Sequence, residues 1–117
     1  MIRHFLEFYK ETAELQTLIE SVATISPSFR ALRLERRRRT HRRSVTRSVR
    51  AIEHLKQIGL VDEDLDTYLT ASALAAMLAN YAYTSFVLGE NFDIDESVAV
   101  LTEIWVRALG LVRLEAG

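Results

Sequence analysis

"YLTASALAAMLANYAYTSFVLG", residues 68–89, passes twenty-two positions without a charge. Such a stretch is either a bilayer span or a helix surrounded by protein. Its composition favours protein. Thr70, Ser72, Asn80, Thr84 and Ser85 interrupt it, alanine outnumbers leucine, and Asp66 and Glu90 flank it where a span would carry cations. Over residues 65–88 apolar side chains recur on two faces. Leu74, Met77, Leu78, Tyr81 and Leu88 share one; Leu69, Ala76, Tyr83 and Val87 share the other, with Ala79 and Phe86 at its edge. A short chain has few elements with which to cover both, so a partner subunit is expected.

Downstream, "GENFDIDES" reads as a loop, with Asp95 capping a helix that reaches about Val112. Val98, Leu101, Ile104, Trp105, Ala108, Leu109 and Val112 form its wide stripe. Two adjacent helices with surplus apolar surface suit a four-helix dimer interface. Its candidate residues are Leu69, Ala76, Tyr83, Phe86, Val87, Leu101, Trp105 and Leu109. Upstream, "GLVDEDLD" places Asp62, Glu63, Asp64 and Asp66 where a helix dipole favours acids, and Gly59 ends the preceding element. That element spans about residues 27–58, opened by Ser26 as N-cap and Pro27 at the first helical position. A first helix is expected over residues 3–24, with Phe5, Phe8, Tyr9, Thr12, Leu15, Ile19 and Val22 at helical spacing.

The long middle element contains "LERRRRTHRRSVTRSVR", residues 34–50, with eight arginines. Phe29, Leu32 and Leu34 mark an apolar stripe before the run; Val45, Val49, Ile52 and Leu55 mark one after it. Carried through the middle, the stripe falls on Arg38 and on His41 or Arg42. No apolar residue lies between Glu35 and Ser44, so this stretch is solvated, faces something anionic or marks a break between two shorter helices. Its role reads first as a solvated face, then a docking surface, then an anion site. The net charge of −1 conceals the asymmetry: eleven of fifteen basic residues lie at positions 30–56, leaving a formal −10 elsewhere. That balance argues against a protein that coats nucleic acid and leaves room for one basic face.

With half its residues apolar, one proline and four glycines, the chain is too apolar for disorder and too poor in turn residues for an all-β fold. The expectation is one all-α domain over residues 1–117, a bundle of four to five helices dimerising through the last two long ones. The absence of cysteine removes disulfides and thiolate metal sites and suits a cytoplasmic location. "MIRHFLEFYK" is not a secretory signal. No serine or threonine sits in a G-x-S-x-G turn, and His4, His41 and His54 lack metal-ligand spacing. "DEDLD" lacks the glycine and closing glutamate of a calcium loop. Neither an enzyme, a metal nor a cofactor is expected.

The order of "FLEFYKETAELQTLIESVA", "SPSFRALRLERRRR", "LKQIGLVDEDLD" and "ALAAMLANYAYTSFVLGENFDIDESVAVLTEIWVRALGL" resembles the C-terminal ligand-binding and dimerisation domain of TetR-family transcriptional regulators. The resemblance implies a homodimer with a small-molecule effector held among its helices, acting as the sensor of a repressor. Such regulators begin with a helix-turn-helix domain that these residues do not contain, so DNA contact is expected only through a head outside this sequence. Candidate cavity residues are Phe5, Phe8, Tyr9, Leu15, Phe29, Met77 and Tyr81, aromatic or adaptable side chains on the inferred inner stripes. Arg38 and His41 are candidates for an anionic head group. Asn80, polar inside the most apolar helix, needs a partner or a ligand. The alternative is a freestanding helical protein gripping nucleic acid nonspecifically through Arg36 to Arg50.

Overall fold

A computed structural model describes residues 1–111. They form an all-α bundle of five helices: α1 (Ile2–Glu11), α2 (Ala13–Ala23), α3 (Pro27–Gln57), α4 (Thr67–Phe86) and α5 (Ile94–Ala108). The helix expected over residues 3–24 is bent into α1 and α2 at Thr12, whose φ of −101° and ψ of 9° leave the helical well. The Thr12 hydroxyl donates to the Phe8 carbonyl at 3.0 Å, a back-bond that bends helices. The ladder continues across the bend, through Thr12 N–H to Phe8 O and Gln16 N–H to Thr12 O.

The arginine-rich segment is a single helix of 31 residues. Ser26 caps it by accepting from the Phe29 N–H at 3.3 Å, with Pro27 at its first position. It ends in a Schellman turn: Leu60 N–H reaches Leu55 O at 2.9 Å and Gly59 N–H reaches Lys56 O at 3.1 Å. Gly59 adopts a φ of +80° there, a conformation that costs a residue with a Cβ. The turn that follows is tied back to α3 by Lys56, whose Nζ donates to Leu65 O at 2.6 Å and to Glu63 O at 3.2 Å.

Two placements differ from expectation. The acids at 62–64 precede α4 rather than forming its first turn, and Asp66 alone caps it, accepting from Leu69 N–H at 2.9 Å. Asp62 instead closes the turn by accepting from Asp64 N–H. Helix α5 is capped by Asp93, which accepts from Glu96 N–H at 3.0 Å; Asp95 lies inside the helix and bonds Arg3 at 2.7 Å. Val112 lies outside the described residues.

Helix α4 is central, with α1, α3 and α5 all packed on it. Its buried stripe, Ala71, Leu74, Ala75, Leu78 and Ala82, is rich in small side chains that let neighbouring helices approach. One core cluster joins Val45 and Ile52 of α3, Val61, Ala71 and Ala75, and Leu109. The other joins Ile2 and Leu6 of α1, Leu78 and Ala82 of α4, and Leu101 of α5. Leu6, Ile52 and Leu101 are fully buried, each worth about 1.5–3 kcal/mol of transfer free energy. Helix α2 packs on α3 and contributes only Ala23 to the buried set. The described residues extend over 54 × 29 × 16 Å with a radius of gyration of 16.3 Å, against about 13 Å for a compact chain of similar length. No helix among them is long and apolar enough to cross a membrane.

Candidate functional site

The α1–α2 bend, the N-terminal half of α3 and the middle of α4 enclose a cleft of about 580 Å³, within the range of sites for drug-sized ligands. Its walls have different chemistries. Phe5, Phe8 and Tyr9 of α1 with Ala75, Ala76, Leu78 and Ala79 of α4 make an apolar wall; Arg33, Arg36, Arg37, Thr40 and Ser44 of α3 make a polar one. The helical repeat explains the second wall. Counting in fours from Phe29 gives Arg33, Arg37, His41 and Val45, one row along α3. Val45 at the end of this row is core, and the arginines before it turn towards the cleft.

Glu20 of α2 organises the cationic wall. Its Oε2 accepts from Arg33 Nη1 at 2.6 Å and its Oε1 from Arg37 Nη2 at 2.7 Å. Each carboxylate oxygen therefore fixes a different guanidinium. Arg33 Nε is buried without a hydrogen-bond partner among the described residues. Arg30, one turn earlier, joins α3 to the end of α2 through Ala23 O at 3.0 Å. Burial pushes the Tyr9 hydroxyl above its ordinary pKa of 10.0; Arg37 opposes that shift, and Tyr83 and Glu20 reinforce it. The Tyr9 ring leans on Phe5 and Phe86, with centroids 5.9 and 6.4 Å away.

Of the residues expected around a cavity, Phe5, Phe8, Tyr9 and His41 line this cleft. His41 is already engaged, with Nε2 3.1 Å from Ser72 Oγ on α4. Arg38 is exposed and faces away from the cleft; the stripe extrapolated to it is one residue out of register with the row from Phe29. Leu15 is exposed on α2 and Phe29 lies near the start of α3, both outside the cleft. Met77 and Tyr81 turn to the core between α1, α4 and α5, where the Tyr81 hydroxyl meets Ser97 Oγ at 2.7 Å. Asn80, read as a buried amide, is exposed and lines the cleft.

The residues expected at a subunit interface divide in the same way. Leu101 and Leu109 are buried within this chain, and Phe86 and Trp105 pack against its second core cluster. Their stripe is consumed internally: α1 covers α4 and α5 around Leu101, Phe86 and Trp105, and Leu109 joins the cluster with α3. Ala76 and Tyr83 line the cleft. Leu69 is exposed and Val87 is half-buried. The open apolar positions on α5 are instead Val100 and Ile104, four residues apart on one face.

The remaining arginines gather on the other side of α3. Arg39, Arg42, Arg43, Arg47 and Arg50 border a shallow groove with Thr46. Among the described residues only Arg42 of these has a carboxylate partner, Glu35 at 3.4 Å. No group of three or more histidine, aspartate or glutamate side chains is placed to hold a metal among the described residues. No protein-family model, curated protein or solved structure matches the chain.

Proposed function

We propose that this chain is the effector-sensing and dimerising domain of a TetR-like transcriptional repressor, a cytoplasmic binding module rather than an enzyme. The observation that carries the reading is the cleft of about 580 Å³ between α1, α3 and α4, lined by four aromatic rings, Phe5, Phe8, Tyr9 and Tyr83, and by alanines of α4. A largely apolar effector of modest size suits such a wall. The α1–α2 pair lies over the cleft and packs on both α3 and α4. Occupancy would therefore bias the arrangement of several helices at once, as an allosteric ligand must. DNA contact belongs to a helix-turn-helix head outside this sequence.

The test is titration with phenylnaphthylamine, a neutral apolar dye whose emission rises on leaving water. Saturable enhancement with one site per chain is expected. Ala79→Trp, at an exposed cleft position, fills the space and abolishes the enhancement while leaving the helical circular dichroism intact. Absence of saturable binding, or binding indifferent to Ala79→Trp, overturns the assignment.

The outer arginine groove favours a second reading, in which α3 grips nucleic acid by its phosphates. Five guanidiniums on one helix face give a salt-sensitive affinity with little sequence choice. A shift assay with nonspecific duplex over a salt series separates the readings. Binding lost on replacing Arg39, Arg43 and Arg47 by glutamine favours the second.

A further inference from the structure

Resting on the reading of the cleft as an effector site, we infer that its ligand is an amphipathic anion, an apolar body carrying one carboxylate or a chemically similar acidic head. An apolar wall alone would accept a neutral molecule, and the wall facing it is cationic. Arg33, Arg36 and Arg37 line the cleft, and Glu20 is the one carboxylate among its lining residues. Two positive charges are therefore left unbalanced beside an apolar surface. There the lowered local dielectric strengthens their pull on an anion.

The positions support a division of labour. Arg36 lines the cleft with no ion-pair partner among the described residues. Arg37 is held by one Glu20 oxygen and is 57% exposed, leaving donors of its five-donor fork open. Arg33 carries a buried Nε with no acceptor among the described residues. An acidic head group supplies acceptors for the open donors of Arg36 and Arg37, and the apolar body lies against Phe5, Phe8 and Ala79. Glu20 has two effects on that head. It fixes the guanidiniums in place, and its own negative charge repels an incoming anion. The surplus of two positive charges thus accommodates a singly charged head and falls short of matching a polyphosphate.

A matched pair of dyes tests this. Anilinonaphthalene sulfonate is phenylnaphthylamine with an added anionic group, so the neutral dye reports the apolar wall and the sulfonate reports the wall plus the cations. In the wild-type chain the sulfonate is expected to bind about tenfold tighter, the size of one good charge-assisted contact. Decanoate is expected to displace it at lower concentration than decanol. Arg36→Gln, and Arg36→Gln with Arg37→Gln, are expected to remove most of that advantage, read as the ratio of the two dyes' affinities within each variant. Glu20→Gln acts in the opposite direction and tightens the sulfonate by roughly threefold, since a like charge has gone. Equal affinity for the two dyes, or arginine variants that weaken both alike, overturns the anion assignment and leaves the apolar site standing. Failure of both dyes to bind overturns the site itself.

Discussion

Tyr81 and Ser97 show what one hydroxyl decides. From spacing alone Tyr81 is as good a cavity residue as Tyr9, because both rings lie on apolar stripes. Its hydroxyl sits 2.7 Å from Ser97 Oγ, and Ser97 is buried, so the ring is committed to the α4–α5 junction. Phe92 stacks beside it at 5.1 Å. Tyr81→Phe leaves the serine hydroxyl buried without a partner and is expected to cost about 1–2 kcal/mol. Adding Ser97→Ala should restore much of that loss, because the orphaned group is gone. Urea denaturation of the two single variants and the double variant measures both effects. An additive double variant would show that the pair does not interact. Tyr9 illustrates the other outcome. It shares the cleft with Arg37, Glu20 and Tyr83, charged and polar groups on three other helices that no local pattern could bring together.

At the scale of the element, caps were more legible than faces. Ser26, Pro27 and Gly59 act as their residue types require, because capping is settled within one turn of helix. "VDEDLD" is harder, since four acids compete for one role and only Asp66 fills it. Asp66→Ala is expected to destabilise the fold by about 1 kcal/mol, while Glu63→Ala, outside the helix, shifts it by less than about 0.5 kcal/mol. Thermal melts of the two variants distinguish a specific cap from a diffuse acidic cluster. The same locality explains the misplaced arginines. A helix of 31 residues carries its register through the polar stretch, and the row from Phe29 to Val45 was there to be counted in fours. The extrapolated stripe met Arg38, one position away, and His41 or Arg42, of which His41 is on the row. Glu20 lay outside any local pattern, because α2 reaches α3 only after the chain reverses at Ser26. The all-α class was legible, as was the protein-packed side of α4. Which of its sides stays open was not, since that depends on how α1 returns.

For the whole molecule, the dimensions point outward. A body 16 Å deep is about two helix layers, since packed helix axes lie about 8–10 Å apart. Such a body cannot cover every apolar side chain from within. Leu69, Val100 and Ile104 remain exposed, and association with a second copy would cover them. Sedimentation velocity is expected to give a dimer at micromolar concentration, with Ile104→Asp shifting it to monomer. Because Ile104 is already exposed in the single chain, the substitution should leave the helical signal unchanged. A monomeric wild-type protein would remove the dimer from the proposal. The aromatic and cationic walls of the cleft lie within one chain, so dye binding should survive in the Ile104→Asp protein.

The long α3 helix has a mechanical consequence. Its C-terminal half is embedded in the core through Val45 and Ile52, while its N-terminal half is held chiefly by α2 through Arg30, Arg33 and Arg37. Were the helix to turn about Val45 as a pivot, the arm before it would be eighteen residues long, about 27 Å at helical rise. A tilt of roughly 5° there would carry the Pro27 end about 2 Å, a displacement of the size by which helices shift in allosteric transitions. Glu20 is the linkage between that arm and α2. Anything that competes for its two arginines loosens the arm's attachment.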